Sequence, residues 1–417
     1  MKLYQKEQKE VKESIQILDT DALVECASKG LLNLSVQLGL EVVRQLMDEE
    51  VVEHAGAKGK HDPNRTAFRH GTEATKVVLG GGKMSTKRPR IRDKEGGEIP
   101  LTTLELFQNE DCLNQSILSK LLSGVSCRKY VRTVDAGDAD ITCASKSEVS
   151  RRFTAGMDAL MNEFFNRPIV EKYPAILMDG LVLGKMTIVA AMGIDADGKK
   201  RVLGLVEGGS ENSEVVKSLL EDLVQRGLSQ SEPRLFVLDG GKALHKAVKD
   251  MFSGSAVIQR CQVHKKRNVL DHLPQSEQGN VSIMLTNAYR EFEYDKAKAR
   301  LERLINYLEH RYPKAADSLR EGLEETLTVH RLEVPGLLRQ TLSSTNAMES
   351  ANSACKGVIR RVSHFKNGAT VLRHAAAGFM EAEKGFRRIK GYRQLPLLMN
   401  KLNSLTNIKE KGNIGIA

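Results

Sequence analysis

Three acidic residues that lie far apart in the sequence could together carry out chemistry on a phosphate ester. Asp179 and Asp239 each end a short apolar run and precede a glycine, and Glu349 stands in the first turn of a predicted helix. A carboxylate that closes an apolar strand is costly to bury unless it caps or binds something. Two aspartates and a glutamate in this order suit two divalent metal ions about 3.5–4 Å apart, which support in-line displacement at phosphorus. Hard ions such as Mg²⁺ or Mn²⁺ prefer these oxygen ligands.

The segments around the two aspartates predict a mixed five-stranded sheet within an α/β domain. Apolar runs predict strands over residues 175–178, 185–194, 201–206, 234–238 and 256–259. The first three strands are joined by short turns and should be antiparallel neighbours. Helices predicted over 212–227 and 242–252 separate the later strands, which should therefore be parallel. This order would bring the ends of the first and fourth strands, with Asp179 and Asp239, to one site.

The block between Asp239 and Glu349 is predicted to be almost wholly helical. Residues 265–339 carry apolar side chains at helical spacing, as at Leu301, Leu304 and Leu308. Apolar residues three and four apart form one face of a helix. We therefore expect an all-α insertion that interrupts the sheet domain before the glutamate.

A strongly basic segment precedes the sheet. Between residues 58 and 94, eleven Lys or Arg residues face three acids, and the glycines at 80–82 separate two extended arms. The pattern predicts a β-hairpin with a cationic second arm that contains Lys87, Arg88 and Arg90. A solvated basic face and contact with a DNA phosphate backbone are both compatible with this density of charge.

The region after the hairpin has the outline of a helix-turn-helix. Residues 116–122 predict a helix, Gly124 a turn and residues 126–131 a second helix, and a third helix is predicted from Ala144. The N-terminal residues of a recognition helix read the bases. In this chain the candidates are Lys146, Ser147, Ser150 and Arg151, with the adjacent Arg152. Such helix groups also occur in proteins that bind no DNA, but the basic hairpin favours DNA binding here.

Basic residues also follow Glu349 along its predicted helix. Lys356, Arg360 and Arg361 follow it, and no acid occurs between Ser350 and Met380. A cationic surface beside a cluster of acids is suited to holding a DNA backbone over metal ions. We therefore expect these three residues to contact DNA.

Each candidate also has a structural explanation. Asp-Gly pairs are common in turns, and Glu349 could cap its helix by reaching back to the amide of Asn346. Cys261 and His264 resemble half of a zinc site, but one Cys and one His do not fill a tetrahedral shell. Packing or hydrogen bonding is therefore favoured over zinc for this pair, and zinc is not an expected cofactor.

The composition sets limits on the class of protein. The chain has 417 residues, enough for two or three domains, with 63 Lys and Arg against 53 Asp and Glu and a formal net charge of +10. A modest excess of positive charge is compatible with a polyanionic partner where basic residues cluster. The six cysteines lack framework spacing, which favours reduced thiols. No apolar run approaches the roughly 18 residues of a membrane span, so we expect a cytoplasmic protein with no membrane partner.

The ordered motifs closely resemble those of Mutator-type transposases of bacterial insertion sequences. The resemblance is carried by Asp179-Gly180, VLDGGKALHKAV around Asp239, RCQVHKKRN at 260–268, STNAMESANSACKGVIRR at 344–361, and RTAFRHGTEATKV at 65–77. It covers most of the chain. One departure is Gly241, which stands where many members of the family have a histidine.

The resemblance implies a DDE transposase with an RNase H-like core, in which Asp179, Asp239 and Glu349 hold two Mg²⁺ or Mn²⁺ ions. It implies action on double-stranded DNA, binding of the terminal inverted repeats of the element, and a homodimer or higher oligomer in the bacterial cytoplasm, associated with the nucleoid. The expected domains are an N-terminal DNA-binding region at 1–167, a catalytic domain at 168–262 and 343–393, a helical insertion at 263–342, and a C-terminal tail at 394–417.

Two other functions remain compatible with these residues. One is a non-catalytic DNA-binding repressor derived from a transposase, although none of the three acids is lost. The other is a metal-dependent nuclease or resolvase, which would cut DNA without joining strands.

Overall fold

A computed structural model describes residues 20–60, 62–79, 81–134, 141–142, 145–208, 212–360, 362, 365 and 367–413. The chain divides into two compact units, with the boundary between Gly156 and Met157. No helix in these ranges combines the length and the apolar character that a membrane span requires.

The N-terminal unit is built on a long helix and a β-hairpin. Helix α1 (Thr20–Ala55) precedes strands β1 (Ala67–Leu79) and β2 (Gly82–Asp93), which pair in antiparallel fashion. The predicted basic hairpin is thus confirmed. One face of α1 is buried against the hairpin because apolar residues recur at helical spacing, at Leu40, Val43, Met47 and Val51.

Short elements complete this unit. They are β3 (Glu98–Ile99), α2 (Thr102–Gln108), α3 (Asp111–Leu122), a 3₁₀ turn (Tyr130–Thr133), β4 (Ile141–Thr142) and α4 (Lys146–Asn166), which continues past the boundary. Strands β3 and β4 both pair with β2. The third helix predicted for the helix-turn-helix is therefore confirmed as α4.

The second helix predicted for the helix-turn-helix, over residues 126–131, is wrong. The backbone there makes a turn closed by a hydrogen bond from Lys129 N to Ser126 O at 2.9 Å, and only the 3₁₀ turn follows. Tyr130 is buried, and its hydroxyl donates to Gly81 O at 3.0 Å. Packing of this one side chain, rather than helix propensity, sets the local backbone. Residues 126–131 therefore do not supply the second helix of a helix-turn-helix.

The C-terminal unit contains a five-stranded mixed sheet. Its strands are β5 (Ala175–Leu183), β6 (Met186–Ile194), β7 (Lys200–Glu207), β8 (Arg234–Leu238) and β9 (Ala256–Arg260). Their spatial order is β7-β6-β5-β8-β9. Strands β5, β6 and β7 are antiparallel neighbours, whereas β5, β8 and β9 are parallel. The predicted mixed α/β sheet is confirmed.

Two helices cover one face of this sheet. They are α5 (Ser213–Gln225), capped by the Asn212 side chain, and α6 (Lys242–Phe252). Their buried side chains share a core with alternate residues of the parallel strands, such as Ile176, Met178 and Phe236. This alternation follows from the two-residue period of a strand.

A series of helices follows β9 before the chain returns to the sheet. These are α7 (Gln262–Leu270), α8 (Gln275–Arg290), α9 (Tyr294–Glu309), α10 (Pro313–Arg320), α11 (Leu323–Thr326), α12 (Thr328–Arg331) and α13 (Gly336–Leu342). Helices α7 to α10 and the segment through Leu327 share a core of their own. Val329, Leu338 and Leu342 instead join the core of the sheet.

The last helices cover the opposite face of the sheet. They are α14 (Asn346–Ile359), α15 (Gly368–Glu383) and α16 (Leu395–Asn413). Met348, Ala351 and Cys355 of α14 are buried in one core with Leu177 and the other strand residues of this face. Leu395, Leu398 and Leu402 of α16 are buried in the same core. The face of the sheet that meets α14 is the one on which the acidic residues lie.

Candidate active site

The register of the parallel strands places Asp179 and Asp239 side by side. Met178 of β5 lies opposite Leu238 of β8, and each is followed directly by one of the aspartates. Adjacent strands are about 4.8 Å apart. Because Leu177 and Val237 point into the core that contains α14, the two-residue period directs both aspartates toward the same face. The predicted convergence of these strands is therefore present.

One detail of the predicted strand is wrong. Strand β5 does not end at Asp179 but continues to Leu183, with Asp179 opposite Ala190 of β6. The antiparallel partner supplies hydrogen bonds along the whole of β5, so the Asp-Gly pair does not break the strand. Asp179 is consequently buried, with 6% of its surface exposed. Its Oδ1 accepts a hydrogen bond from Gly180 N at 3.0 Å.

Glu349 comes to this site on the first turn of α14, as predicted. Its Oε1 atom is buried and has no hydrogen-bond partner. Glu349 Oε1 lies 3.6 Å from His264 Nε2, a distance that allows an ion pair but is too long for a hydrogen bond. Across the described chain no hydrogen bond joins its carboxylate to the Asn346 amide, which lies 3.5 Å from Ser344 Oγ instead. Helix capping therefore does not explain Glu349.

The three acids together carry more negative charge than the neighbouring cationic groups neutralise. The pKa of Asp179 is raised from 3.8 to about 6. Burial is the largest cause, His264 lowers the pKa, and the carboxylates of Asp239 and Glu349 raise it. The three acids are therefore near enough for their charges to act on one another. A carboxylate in this setting is stabilised by a cation or a proton.

Cys261 and His264 form a hydrogen-bonded group beside the acids. Thr345 N and Thr345 Oγ1 lie 3.4 and 3.5 Å from Cys261 Sγ, and Thr345 Oγ1 lies 3.4 Å from His264 Nδ1. The pKa of His264 is raised to about 9. Its hydrogen bond with Cys261 is the largest cause, burial lowers the pKa, and the charges of Cys261, Asp179 and Glu349 raise it. Burial alone would raise the pKa of Cys261, but hydrogen bonds from His264 and Thr345 lower it. An imidazolium therefore faces Glu349.

The turn after Asp239 is fixed by glycine and by a buried arginine. Gly241 N donates to Asp239 Oδ1 at 2.8 Å, so the turn expected of an Asp-Gly pair is present and holds the carboxylate. Gly240 has φ +100°, and a Cβ there would lie 2.4 Å from Arg260 Nε. Arg260 also donates to Glu321 O at 3.2 Å. Only glycine at 240 leaves room for the arginine that ties this turn to the helices after β9.

The site has donors that suit a hard metal ion, but the three acids would have to move in order to surround one. Within the described ranges, no group of three His, Cys, Asp or Glu side chains is arranged to hold an ion. The donor set nevertheless fits one, because Glu349 Oε1 is buried without a partner and Asp179 is buried among other carboxylates. Carboxylate oxygens are the ligands that Mg²⁺ and Mn²⁺ prefer.

The predicted DNA-contact residues of the N-terminal unit fall into two groups. Exposed residues with no ion pair in the described part of the chain are Lys87, Lys146, Ser147 and Arg151. The others are held by carboxylates of the unit itself: Arg88 pairs with Glu73 at 2.8 Å and Glu98 at 2.9 Å, and Arg90 pairs with Glu98 at 2.5 Å. Arg152 pairs with Glu110 and Glu148, both at 2.8 Å.

The predicted contacts of the C-terminal unit lie on α14 and directly after it. Lys356 and Arg360 are exposed there, and Arg361 lies outside the described residues. Asn352, which precedes them on the helix, is buried. Lys356 is therefore about two turns, and Arg360, which directly follows α14, about three turns away from Glu349.

Several residues of the site were not predicted from the sequence. Thr345 and Arg260 lie inside the motifs that carry the family resemblance, but their contacts join segments that are more than 60 residues apart. Three further cations, Lys266, Arg290 and Arg339, line a pocket beside α14. Only the C-x-x-H spacing of Cys261 and His264 pointed to this part of the site.

The fold and the site define a mixed α/β protein in which acids from two parallel strands and one helix act on one another. The family model described as Transposase, Mutator family matches residues 6–388. The chain belongs to this family of transposases. The resemblance found in the sequence motifs is thus confirmed.

Curated relatives agree with this assignment over most of the chain. The chain is 29% identical over 369 residues to the transposase for insertion sequence element ISRM5 of Rhizobium meliloti (strain 1021), covering 84% of this chain and 89% of that protein. It is 29% identical over 383 residues to the transposase for IS256 in transposon Tn4001 of Staphylococcus aureus, covering 88% and 93%. A transposase for IS406 of Burkholderia multivorans is 24% identical over 383 residues, covering 88% and 96%.

Proposed function

We propose that this chain is a DNA transposase of an insertion sequence that cleaves DNA at the ends of its element and joins those ends to target DNA. The names of its relatives, which are transposases for insertion sequence elements, support the proposal. The observation that carries it is the position of Asp179, Asp239 and Glu349, on two adjacent parallel strands and a covering helix. The strand order β7-β6-β5-β8-β9 supports an RNase H-like core with a helical insertion before Glu349.

Asp179, Asp239 and Glu349 would hold two Mg²⁺ or Mn²⁺ ions. When bound, such ions activate an attacking water or 3′-hydroxyl group and stabilise the oxygen that leaves. The buried Glu349 Oε1, which has no hydrogen-bond partner, and the raised pKa of Asp179 support this assignment, since His264 compensates the charge of these carboxylates only in part. The same site serves cleavage and joining because both are in-line displacements at phosphorus.

The protein's own residues would hold this site in shape. The parallel pairing of β5 with β8 fixes the spacing of the two aspartates, and the Gly241 amide orients Asp239. Thr345 and Cys261 orient His264, whose imidazolium partly compensates the three acids before DNA and ions arrive. Exposed basic residues such as Lys356 and Arg360 would bind the DNA backbone beside the acids.

The test is a strand-cleavage and joining assay with duplexes that carry the terminal repeats of the element. Asp179→Asn, Asp239→Asn and Glu349→Gln should each lower Mg²⁺-dependent cleavage by about 10³-fold or more, while DNA affinity is retained. The matched control is Asp250→Asn, an exposed aspartate on α6, which should cleave normally.

A second substrate with a pre-cut 3′-hydroxyl end separates the competing functions. A transposase yields joined products from it, a nuclease or resolvase yields only cuts or nicks, and a repressor binds without changing the DNA. Normal cleavage by any one of the three variants would overturn the proposed site. Binding without cleavage by the unaltered protein, with either Mg²⁺ or Mn²⁺, would overturn the proposed activity.

A further inference from the structure

A basic pocket without acids lies beside the start of α14. We use the name basic pocket for the cavity of about 590 Å³ whose wall includes Lys266, Arg290, Arg339, Gln262, Gln340 and Asn346. No aspartate or glutamate lines it. Two other cavities of the same unit, of about 240 and 510 Å³, are lined by two and three glutamates respectively. The basic pocket is thus distinguished by its charge.

The three cations of the basic pocket have no acidic partner in the described ranges. Lys266 Nζ donates to Thr286 Oγ1 at 2.7 Å, and Arg339 donates to Phe292 O at 2.9 Å. Arg290 is exposed. Hydrogen bonds to neutral oxygens position a cation but do not neutralise it, so the basic pocket keeps its positive charge for an anionic ligand.

The position of the basic pocket relates it to the acids. Asn346, in its wall, is the first residue of α14, and Glu349 follows three residues later. Gln262 and Val263, also in the wall, directly precede His264. A ligand in the basic pocket therefore lies about one helical turn along α14 from Glu349.

Phe292, which contacts the pocket residue Arg339 but does not line the basic pocket itself, and the amides of the pocket wall can hold a nucleobase. Phe292 is 61% exposed, and the guanidinium of Arg339 lies 5.0 Å from the centre of its ring. Aromatic rings and planar guanidinium groups are the surfaces on which bases of single-stranded nucleic acid stack. The exposed amides of Gln340 and Asn346 each offer both a donor and an acceptor to a base edge.

We propose that the basic pocket takes one unpaired nucleotide of the DNA strand next to the cleaved bond. The inference rests on the proposed function, since it requires DNA at the acids. A volume of this size is that of pockets for whole small molecules, about 300–1,000 Å³, and a phosphate group alone would leave most of it empty. A duplex offers its backbone but keeps its bases stacked, so filling the pocket requires that one nucleotide leave the helix.

The experiment is a thermodynamic cycle between the full-length protein and the DNA. Element-end duplexes carry a single abasic site, moved one nucleotide at a time through the sequence around the cleaved bond. Affinity is measured in EDTA for the unaltered protein and for Phe292→Ala. This variant should bind intact DNA about tenfold more weakly, and the loss should disappear when the abasic site occupies the position of the extruded nucleotide.

A second variant tests whether the positive charge of the pocket and the extruded base bind at the same position on the DNA. Arg339→Gln should show the same position-dependent loss and should lower the slope of affinity against salt by about one. Arg303→Gln is the control, because Arg303 is an exposed arginine of the same unit that does not line the pocket. It should show no dependence on the position of the abasic site.

The outcomes separate this inference from the proposed function. If the loss with Phe292→Ala and Arg339→Gln is the same at every abasic position, or absent, the basic pocket holds no base and the inference is overturned. That result leaves the cleavage assay of the three acids untouched. Because Phe292 is exposed, its removal should leave the thermal unfolding temperature unchanged, so a weaker affinity reports on contact with DNA rather than on folding.

Discussion

Two carboxylates of this protein, one in each unit, meet opposite electrostatic surroundings. Glu110 of the N-terminal unit pairs with Arg152 at 2.8 Å and Lys83 at 2.5 Å, and these partners lower its pKa to about 2. Asp179 of the C-terminal unit is buried near two other acids, and its pKa is raised to about 6. Lys83 and Arg152 therefore neutralise the charge of Glu110. Among the described residues, Asp179 has only His264 to offset the nearby acids, and a strongly perturbed pKa of this kind is typical of functional sites.

The basic residues show the same contrast. Arg88 and Arg90 lie in the basic segment at residues 58–94 and Arg152 lies on α4, yet each pairs with carboxylates of its own unit. Lys266 and Arg339 are scattered in the sequence and line a pocket without acids. The charge that remains uncompensated after folding, rather than the density of Lys and Arg in the sequence, indicates where a polyanion can bind.

The largest effect on stability should come from Asp179→Asn measured without divalent ions. The folded pKa of about 6 lies above the ordinary value of 3.8, so the charged carboxylate opposes folding once it is ionised in the folded state. Removing the charge should raise the free energy of unfolding by about 2–3 kcal/mol at pH 7.5. The gain should be complete above pH 6 and should shrink as pH falls toward 3.8. Urea unfolding in EDTA across this pH range measures it.

The control for this prediction is Asp250→Asn, which removes an exposed aspartate from α6 of the same unit. It should change the unfolding free energy by about 0.5 kcal/mol or less at any of these pH values. A loss of stability in Asp179→Asn at pH 7.5 would contradict the contrast between the two carboxylates.

The sheet could be predicted from the sequence because its signals are local. Each strand is a short apolar run, and tight turns or intervening helices determine which pairs are antiparallel and which are parallel. The extension of β5 past Asp179 could not be predicted, because β6 supplies the hydrogen bonds that continue it. The false second helix at 126–131 failed for a related reason, since the burial of Tyr130 decides the backbone there.

The three acids could also be predicted, because each has a position defined by its own element. The contacts of the residues around the three acids could not be predicted. Thr345 approaches Cys261 across 84 residues of sequence, and Arg260 reaches Glu321 across 61. The ion pair of Arg152 with Glu110 could not be predicted from composition either, since Glu110 directly precedes α3 whereas Arg152 lies on α4. Contacts of this kind depend on how helices pack, which sequence spacing within one element does not determine.

Divalent ions should stabilise the C-terminal unit, which contains Asp179, but not the N-terminal unit, which contains Glu110. At a free Mg²⁺ or Mn²⁺ concentration ten times the dissociation constant, binding to the folded state should add about 1.4 kcal/mol to the free energy of unfolding. Asp179→Asn and Glu349→Gln should lose most of this increment, while Asp250→Asn should keep it. Thermal unfolding in the presence and absence of the ion measures the difference without requiring DNA. Equal stabilisation of all four proteins would show that the ion binds elsewhere.

The smallest effect should come from Glu110→Gln, and its sign should be opposite to that of Asp179→Asn. The folded pKa of about 2 lies below the ordinary value of 4.5, so the charged carboxylate favours folding. The Glu110 side chain is 41% exposed, and with allowance for solvent screening its loss should cost about 1 kcal/mol at pH 7. This cost should be constant above pH 4.5 and should shrink as pH falls toward 2. Hydrogen exchange of the α3 amides reports it locally.

The matched control is Glu105→Gln, an exposed glutamate on α2 with no ion pair in the described ranges. It should leave exchange in α3 unchanged. If Glu110→Gln instead slowed exchange at neutral pH, the two carboxylates would behave alike, and the N-terminal network would have to be counted as a second site short of positive charge. Faster exchange that fades below pH 4.5 fits a carboxylate that Lys83 and Arg152 already neutralise, which is the opposite of the behaviour expected of Asp179.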